Sequence, residues 1–177
     1  MKYILLTVTL FASAFCHANS SAIFNKLSQA NAPSAQQILA KIEKSFASQG
    51  IIVEFELEFE KGITVYEVTL FDLNNNRFIE LIVNAQGLVI EQEYEQPELD
   101  EEDEVAAAKL MKKKNYQMYQ LVKQLSPAPP YYLIESQLEQ DIGITYLVAT
   151  FITAKGRHKK AIDLATGKNL PLLRWGN

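Results

Sequence analysis

The chain has 177 residues, with 17 lysines and arginines against 21 aspartates and glutamates, and a formal charge of −4. Apolar residues make up 48% and charged residues 21% of it. This balance is typical of a globular chain and excludes a disordered or fibrous one, and the length allows one domain or two small ones.

Residues 1–18 have the features of a signal peptide. Lys2 supplies a positive start, residues 3–15 form an almost uninterrupted apolar run, and small residues precede Asn19. As a helix the apolar run would reach roughly 20 Å, short of a bilayer core of about 30 Å. We therefore expect cleavage before Asn19 and a periplasmic or secreted bacterial protein without a transmembrane anchor. A retained anchor and a lipoprotein acylated at Cys16 are the alternatives.

Processing would leave no cysteine and a single histidine, His158. Disulfides, thiolate catalysis, cysteine-based zinc sites and multi-histidine metal sites are then excluded. His158 lies in a charged segment, residues 155–160, that is typical of a solvated hairpin turn. No phosphate-binding loop, dinucleotide fingerprint, hydrolase elbow or metallopeptidase motif is present. We predict a protein that is not an enzyme, with no catalytic residue, no cofactor and no metal site.

An N-terminal extension, residues 19–33, precedes the first predicted helix. Ser34 is a plausible N-cap, apolar residues follow it at helical spacing, and Gly50 ends the helix. Residues 53–60 then alternate apolar and glutamate side chains, which predicts a strand with one face in water. Turn residues separate three further predicted strands, at residues 63–71, 77–83 and 88–91.

Residues 92–104 are strongly acidic and predict a solvated linker. The run lacks the spacing of a calcium loop, and whether it binds a cation stays open. A long helix is expected over residues 105–125, followed by a proline-rich break. Predicted strands then follow at residues 131–139, 144–152 and 158–163, with a short strand after Gly167.

Sliding the chain against itself by 80 residues brings Tyr66 onto Tyr146 and aligns seven identical residues in 22 positions. This register indicates a duplication. The predicted fold class is α+β, with two repeats that are each a helix packed on a small antiparallel β-meander. The predicted repeats are residues 34–91 and 105–177, and the register places Tyr66 and Tyr146 in equivalent positions.

Two short motifs carry a resemblance to a known family. Val65-Tyr66-Glu67-Val68 lies in the first predicted repeat, and Ile162-Asp163-Leu164-Ala165-Thr166-Gly167-Lys168 closes the second. Together with the helix and paired strands they resemble the PepSY domain, although the first closing turn, residues 84–87, lacks the aspartate and threonine. PepSY domains occur in propeptides of thermolysin-type metalloproteases and in secreted or membrane-attached regulatory proteins. The resemblance implies an exported binding or inhibitory module that acts on a peptidase or cell-wall hydrolase.

The motif residues themselves predict structural roles. Gly87 and Gly167 are expected to supply positive φ in turns. Asp163 is expected to accept hydrogen bonds from the backbone of its own turn, with Thr166 assisting. Tyr66 and Tyr146 are expected to pack between helix and sheet.

Charge divides the chain into two halves. Residues 19–104 hold 5 basic and 17 acidic side chains, and residues 105–177 hold 11 and 4, so the halves should attract. The strand at residues 144–152 is apolar on both faces, and the face that its helix leaves open needs either the first repeat or a partner. The candidate partner surface comprises Tyr146, Leu147, Phe151, Arg157, Lys159 and Lys160. Nucleic acid is a poor partner for an exported acidic chain, whereas anionic wall polymer, lipid headgroups or the chain's own acidic half are better ones. The alternative to a binding module is a structural or envelope-associated protein without an enzyme target.

Overall fold

The computed structural model describes residues 20–29 and 33–171, without the side chain of Asp100, so the predicted signal peptide lies outside the described residues. Four helices are present in the described part of the chain: α1 Ser20–Gln29, α2 Ala35–Ser45, α3 Glu102–Lys114 and α4 Met118–Leu125. None of these helices within residues 20–29 and 33–171 is both long and apolar enough to cross a bilayer. A 3-10 turn, Leu99–Glu101, precedes α3. The same described residues contain eight strands: β1 Ile51–Glu60, β2 Ile63–Asp72, β3 Arg77–Asn84, β4 Val89–Glu95, β5 Tyr132–Asp141, β6 Ile144–Thr153, β7 Gly156–Asp163 and β8 Asn169–Leu170.

Helix α2 begins where the sequence predicts it. The Ser34 hydroxyl accepts a hydrogen bond from the Gln37 backbone N–H at 3.3 Å, and the Gln37 side chain accepts one from the Ser34 N–H at 2.7 Å. This capping box satisfies two N–H groups that a helix start leaves without intrahelical partners. Ile38, Leu39 and Ile42 are buried, at the 3–4 spacing of one helix face.

The strands form one antiparallel sheet in the order β4-β3-β2-β1-β5-β6-β7-β8. The predicted α+β class is confirmed as a fold of helices and an antiparallel sheet. The two predicted meanders do not form separate units, because β1 and β5 pair and join them edge to edge in one sheet. The seam between β1 and β5 has three register pairs: Glu54 with Gln137, Phe55 with Ser136, and Glu56 with Glu135. The halves do not dock face to face through a two-sided apolar strand.

The 80-residue register is a mean of two different offsets. β1 and β2 precede β5 and β6 by 81 residues, whereas β3 precedes β7 by 79 residues. Leu147, not Tyr146, occupies the place in β6 that Tyr66 has in β2, since Tyr66 lies opposite Leu57 and Leu147 lies opposite Leu138. Side chains alternate along a strand, so a shift of one residue moves Tyr146 to the other face of the sheet. The predicted equivalence of Tyr66 and Tyr146 is wrong.

The acidic segment, residues 92–104, is not an irregular linker. Its first residues extend β4 to Glu95, and its last ones open α3, whose first turn is acidic and so complements the positive end of the helix dipole. The long helix predicted over residues 105–125 is two helices. Asn115 adopts a left-handed conformation, φ 54°, and separates α3 from α4.

The core lies between the sheet and helices α2, α3 and α4, which pack against the central strands β1 and β5 and, further along, against β6 and β7. Phe55, Tyr66, Leu81, Leu147 and Phe151 are buried in it. α1 was not predicted from the sequence. It packs against β6 and β7, and its Phe24 ring contacts the Tyr132 ring with centroids 5.4 Å apart.

A carboxylate face on the sheet and the candidate functional site

Alternation along β1 separates two kinds of side chain. Phe55 and Leu57 are buried in the core, while Glu54, Glu56 and Glu58 point from the opposite face and are half-buried. A strand of this pattern must keep its glutamates on the face that the core helices leave open.

The strand register adds carboxylates from the neighbouring strands to this face. Glu56 lies directly opposite Glu67 of β2 on one side and Glu135 of β5 on the other. One row along, Glu80 of β3 lies opposite Glu93 of β4. The carboxylate face is thus formed by Glu54, Glu56, Glu58, Glu67, Glu80, Glu93 and Glu135. Like charges placed directly opposite each other across strands repel.

Burial and crowding change the acidity of this face. Burial first, and then the Glu56, Glu104, Glu67 and Glu135 charges, raise the pKa of Glu54 to about 7. Burial, then the charges of neighbouring glutamates, raise the pKa of Glu56 to about 7, and the Arg157 charge opposes this rise. Burial, with the charge and hydrogen bond of Glu95, raises the pKa of Glu80 to about 7. The face therefore changes its charge near neutral pH.

The described residues of this face present negative charge, which suits cationic groups. No group of three or more possible ligands is placed to hold a metal ion within the described ranges. The Thr150 hydroxyl donates to the Glu135 carboxylate at 3.0 Å, which fixes one oxygen of the cluster. Cationic side chains of a partner would relieve the mutual repulsion of the remaining carboxylates.

The candidate partner surface predicted from the sequence is split by the structure. Leu147 and Phe151 are fully buried in the core, so they are not available to a partner, and this part of the prediction is wrong. Register places Lys159 opposite Thr150 and so on the carboxylate face, whereas Lys160 pairs with Ala149 on the core side. Arg157 and Lys159 are exposed and Lys160 is half-exposed.

Tyr146 lies on the carboxylate side of the sheet instead of packing between helix and sheet. Its hydroxyl donates to the Glu139 carboxylate at 2.6 Å, and this bond, with burial, raises the pKa of Tyr146 to about 12. Tyr66 by contrast is buried and stacks on Phe55 with ring centroids 5.4 Å apart. The predicted role therefore holds for Tyr66 alone.

The closing turn of the second half has the predicted hydrogen bonds. Asp163 Oδ1 accepts from the Ala165 N–H at 2.7 Å, and its Oδ2 accepts from the Thr166 hydroxyl at 2.8 Å. The Thr166 bond is the largest cause that lowers the pKa of Asp163. Gly167 has φ +69°, as predicted.

In the closing turn of the first half, Asn84 takes the place of Asp163 as the side-chain hydrogen-bond acceptor. Its side-chain oxygen accepts from the backbone N–H groups of Gln86 and Leu88, both at 3.0 Å, and Gly87 has φ +74°. The turn that lacks the family's aspartate is thus built on an amide oxygen. Like Asp163 it accepts from the backbone N–H two residues on, but its second donor is four residues on.

Sequence reasoning placed the end of the outer strand, β4, too early. All seven of its residues are exposed, and it runs to Glu95 instead of ending near Glu91. The alternation of Glu91, Glu93 and Glu95 with Gln92 and Tyr94 was the available signal for a longer strand.

The PepSY family model, described as "Peptidase propeptide and YPEB domain", matches residues 34–87. The chain therefore contains a PepSY domain, which spans α2 to the turn after β3. No curated protein matched the chain. The chain is also similar to a crystal structure of a "putative lipoprotein" from Clostridium difficile 630, with 18% identity and a TM-score of 0.43 over 82% of this chain and 95% of that one.

Proposed function

We propose that this protein is an exported, non-catalytic binding module that regulates a secreted or periplasmic peptidase or cell-wall hydrolase. The observation that carries the proposal is the PepSY match over residues 34–87, since the family is described by its presence in peptidase propeptides. The predicted signal peptide supports export. A fold alone does not fix a function, so the proposal also needs a surface.

The carboxylate face supports a binding role. Glu54, Glu56 and Glu80 have pKa values raised by burial and by neighbouring glutamates, so positive charge on a partner would relieve their mutual repulsion. Complementary charge on a partner increases the rate and the orientation specificity of association. The proposed partner surface is this face, with Arg157 and Lys159 at its basic end.

We also propose that residues 34–91 and 105–177 are two PepSY-like units. Support comes from the bulge that each first strand carries, at Val53 in β1 and at Ile134 in β5, 81 residues apart. The turns built on Asn84 and Asp163 are the second point of likeness.

The test measures enzyme rates. The processed protein is added, over a range of concentrations, to peptidases and wall hydrolases of its own host's envelope and culture fluid, and each rate is followed with a labelled substrate. Regulation predicts a saturable change in the rate of one enzyme, and heat-unfolded protein is the control. If no rate changes and no hydrolase binds, the proposed regulation is wrong. The alternative, a structural or envelope-associated protein without an enzyme target, is then favoured.

A further inference from the structure

The outer edge of β4 has the properties of a docking strand. In the described sheet β4 pairs with β3 on one side alone, so alternate backbone N–H and C=O groups along its other side have no strand partner. The strand is seven residues long and exposed throughout. An edge of this length can accept another extended segment by backbone hydrogen bonding.

The side chains of β4 divide between its two faces. Register places Glu93 opposite Glu80, Glu91 opposite Ile82 and Glu95 opposite Phe78, so all three β4 glutamates lie on the carboxylate side. They follow each other at every second residue, which is about 6.6–6.8 Å along a strand. An added strand whose basic side chains occupy alternate positions would match this spacing.

Large apolar side chains are exposed at the same edge. Ile90 is 62% exposed, Leu88 58% and Tyr94 53%, although each is of a size that folding usually buries. The Arg77 guanidinium lies 4.0 Å from the centroid of the Tyr94 ring and holds one face of it. Glutamates on an edge strand can serve only to prevent aggregation, but that role does not require the exposed apolar residues beside them, Leu88 and Ile90 before Glu91 and Tyr94 between Glu93 and Glu95.

Resting on the proposed function, we propose that β4 adds an extended segment of a partner protein to the sheet, with lysine or arginine at alternate positions and apolar residues between them. The basic residues would lie against Glu91, Glu93 and Glu95. Glu80 of β3 lies behind this row and shares a side-chain hydrogen bond with Glu95, and an incoming cation would stabilise the charged form of this pair. The apolar residues would cover the exposed side of β4.

The probe is a labelled eight-residue peptide of alternating lysine and valine, titrated with the processed protein by fluorescence anisotropy. Saturable binding is expected, together with hydrogen-exchange protection over residues 89–95. Two control peptides are used: one has glutamate for lysine, and one has N-methyl groups on all of its internal backbone amides, so that neither edge of the peptide can donate hydrogen bonds to β4. Neither control peptide should bind. If the N-methylated peptide binds equally well, backbone pairing is excluded and the proposal is wrong.

A matched pair of variants locates the site. Glu91→Lys with Glu93→Lys reverses the charge of the strand, while Glu102→Lys with Asp141→Lys makes the same net change at exposed positions outside it. The first pair should weaken peptide binding at least tenfold and the second less than twofold. Equal losses would mean unspecific charge attraction and would overturn the proposal. The neutral pair Glu91→Gln with Glu93→Gln, and circular dichroism of each variant, separate lost binding from lost folding.

The same variants distinguish the inference from the proposed function. If the protein with Glu91→Lys and Glu93→Lys still changes the hydrolase rate as the unaltered protein does, the proposed docking at β4 is wrong, while the proposed regulation of a hydrolase is retained. If it abolishes the rate effect and the control pair retains it, both are supported.

Discussion

The Glu43 carboxylate of α2 accepts a hydrogen bond of 2.6 Å from the backbone N–H of Met118, the first residue of α4. Its other oxygen accepts from the Tyr119 N–H at 3.2 Å. A residue of the PepSY domain therefore caps a helix of the second half, 75 positions along the chain. Burial raises the pKa of Glu43, and the two backbone bonds oppose that rise.

This cap predicts a loss of stability on its removal. Glu43→Ala leaves two backbone N–H groups at the start of α4 without this acceptor and should lower the free energy of unfolding by about 1–2 kcal/mol. Glu43→Gln keeps one oxygen and should lose less. Urea unfolding followed by circular dichroism measures both, with the exposed neighbour Lys44→Ala as the control. An unfolding midpoint unchanged in Glu43→Ala would show that the cap contributes nothing.

The carboxylate face predicts higher stability in mild acid. The folded pKa of Glu56 is about 7 against an ordinary value of 4.5, so between these pH values the native state holds a proton that the unfolded state has released. Stability should be greatest below about pH 4.5 for this group, and it should fall as pH rises through 7. Glu54 and Glu80 act in the same direction.

Glu56→Gln tests this pH dependence. Because the group is half exposed, screening reduces its contribution to on the order of 1 kcal/mol, or about 2–4 °C in Tm. The variant should melt higher than the unaltered protein at pH 8 and should show a flatter Tm profile between pH 5 and pH 8. Asp141→Asn, an exposed carboxylate at the end of β5, makes the same charge change as a control. A steeper profile in Glu56→Gln would contradict the expected loss of stability with rising pH.

The two closing turns predict which substitutions each will tolerate. Asp163→Asn should fold with little loss, since Asn84 already performs that role in the first half. Asp163→Ala removes the acceptor of the Ala165 and Thr166 bonds and should cost about 1–2 kcal/mol. Thermal unfolding of the two variants checks this order. An Asp163→Asn protein as unstable as Asp163→Ala would show that the turn needs the aspartate charge itself.

The buried ring of Phe151 predicts a large loss of stability when the ring is removed. Phe151 is 0% exposed and its ring meets that of Tyr131 edge-on at 5.6 Å. Phe151→Ala should cost about 3–5 kcal/mol, and Phe151→Asp should prevent stable folding by burying a charge. The charge-only change, Lys159→Glu with Lys160→Glu, is the comparison. It should change Tm mainly at low salt, because salt screens interactions between exposed charges. A Phe151→Ala protein with an unshifted single transition would show that this ring is not part of the cooperative core.

Local sequence patterns predict most of the helices and strands. The Ser34 cap and the alternation in β1 depend on near neighbours, and both lie where they were predicted. The offset between halves depends on turn length, and the turn from β2 to β3 is longer than the two-residue turn from β6 to β7. A single offset of 80 cannot represent 81 before that turn and 79 after it, which is why Tyr146 was placed on the wrong face.

The candidate site was harder to predict because it depends on strand order. The glutamates of β1 predict a wet face, but only the pairing of β1 with β5 places Glu135 opposite Glu56. Nothing in the local pattern of either strand specifies that neighbour. Phe151 was assigned to a partner surface for the same reason, since its strand is apolar on both faces and the sequence does not say which helix covers which face.

β1 is the edge strand of the first half and β5 is the edge strand of the second half, and the two edges pair at the seam. The segment from the end of β4 to the start of α3, residues 96–101, connects those halves covalently. A second molecule can therefore offer the same edge, with the same register, as the chain's own second half. Exchange of halves between two copies would recreate each seam contact in a domain-swapped dimer, favoured by high protein concentration and limited mainly by the reach of that short connection.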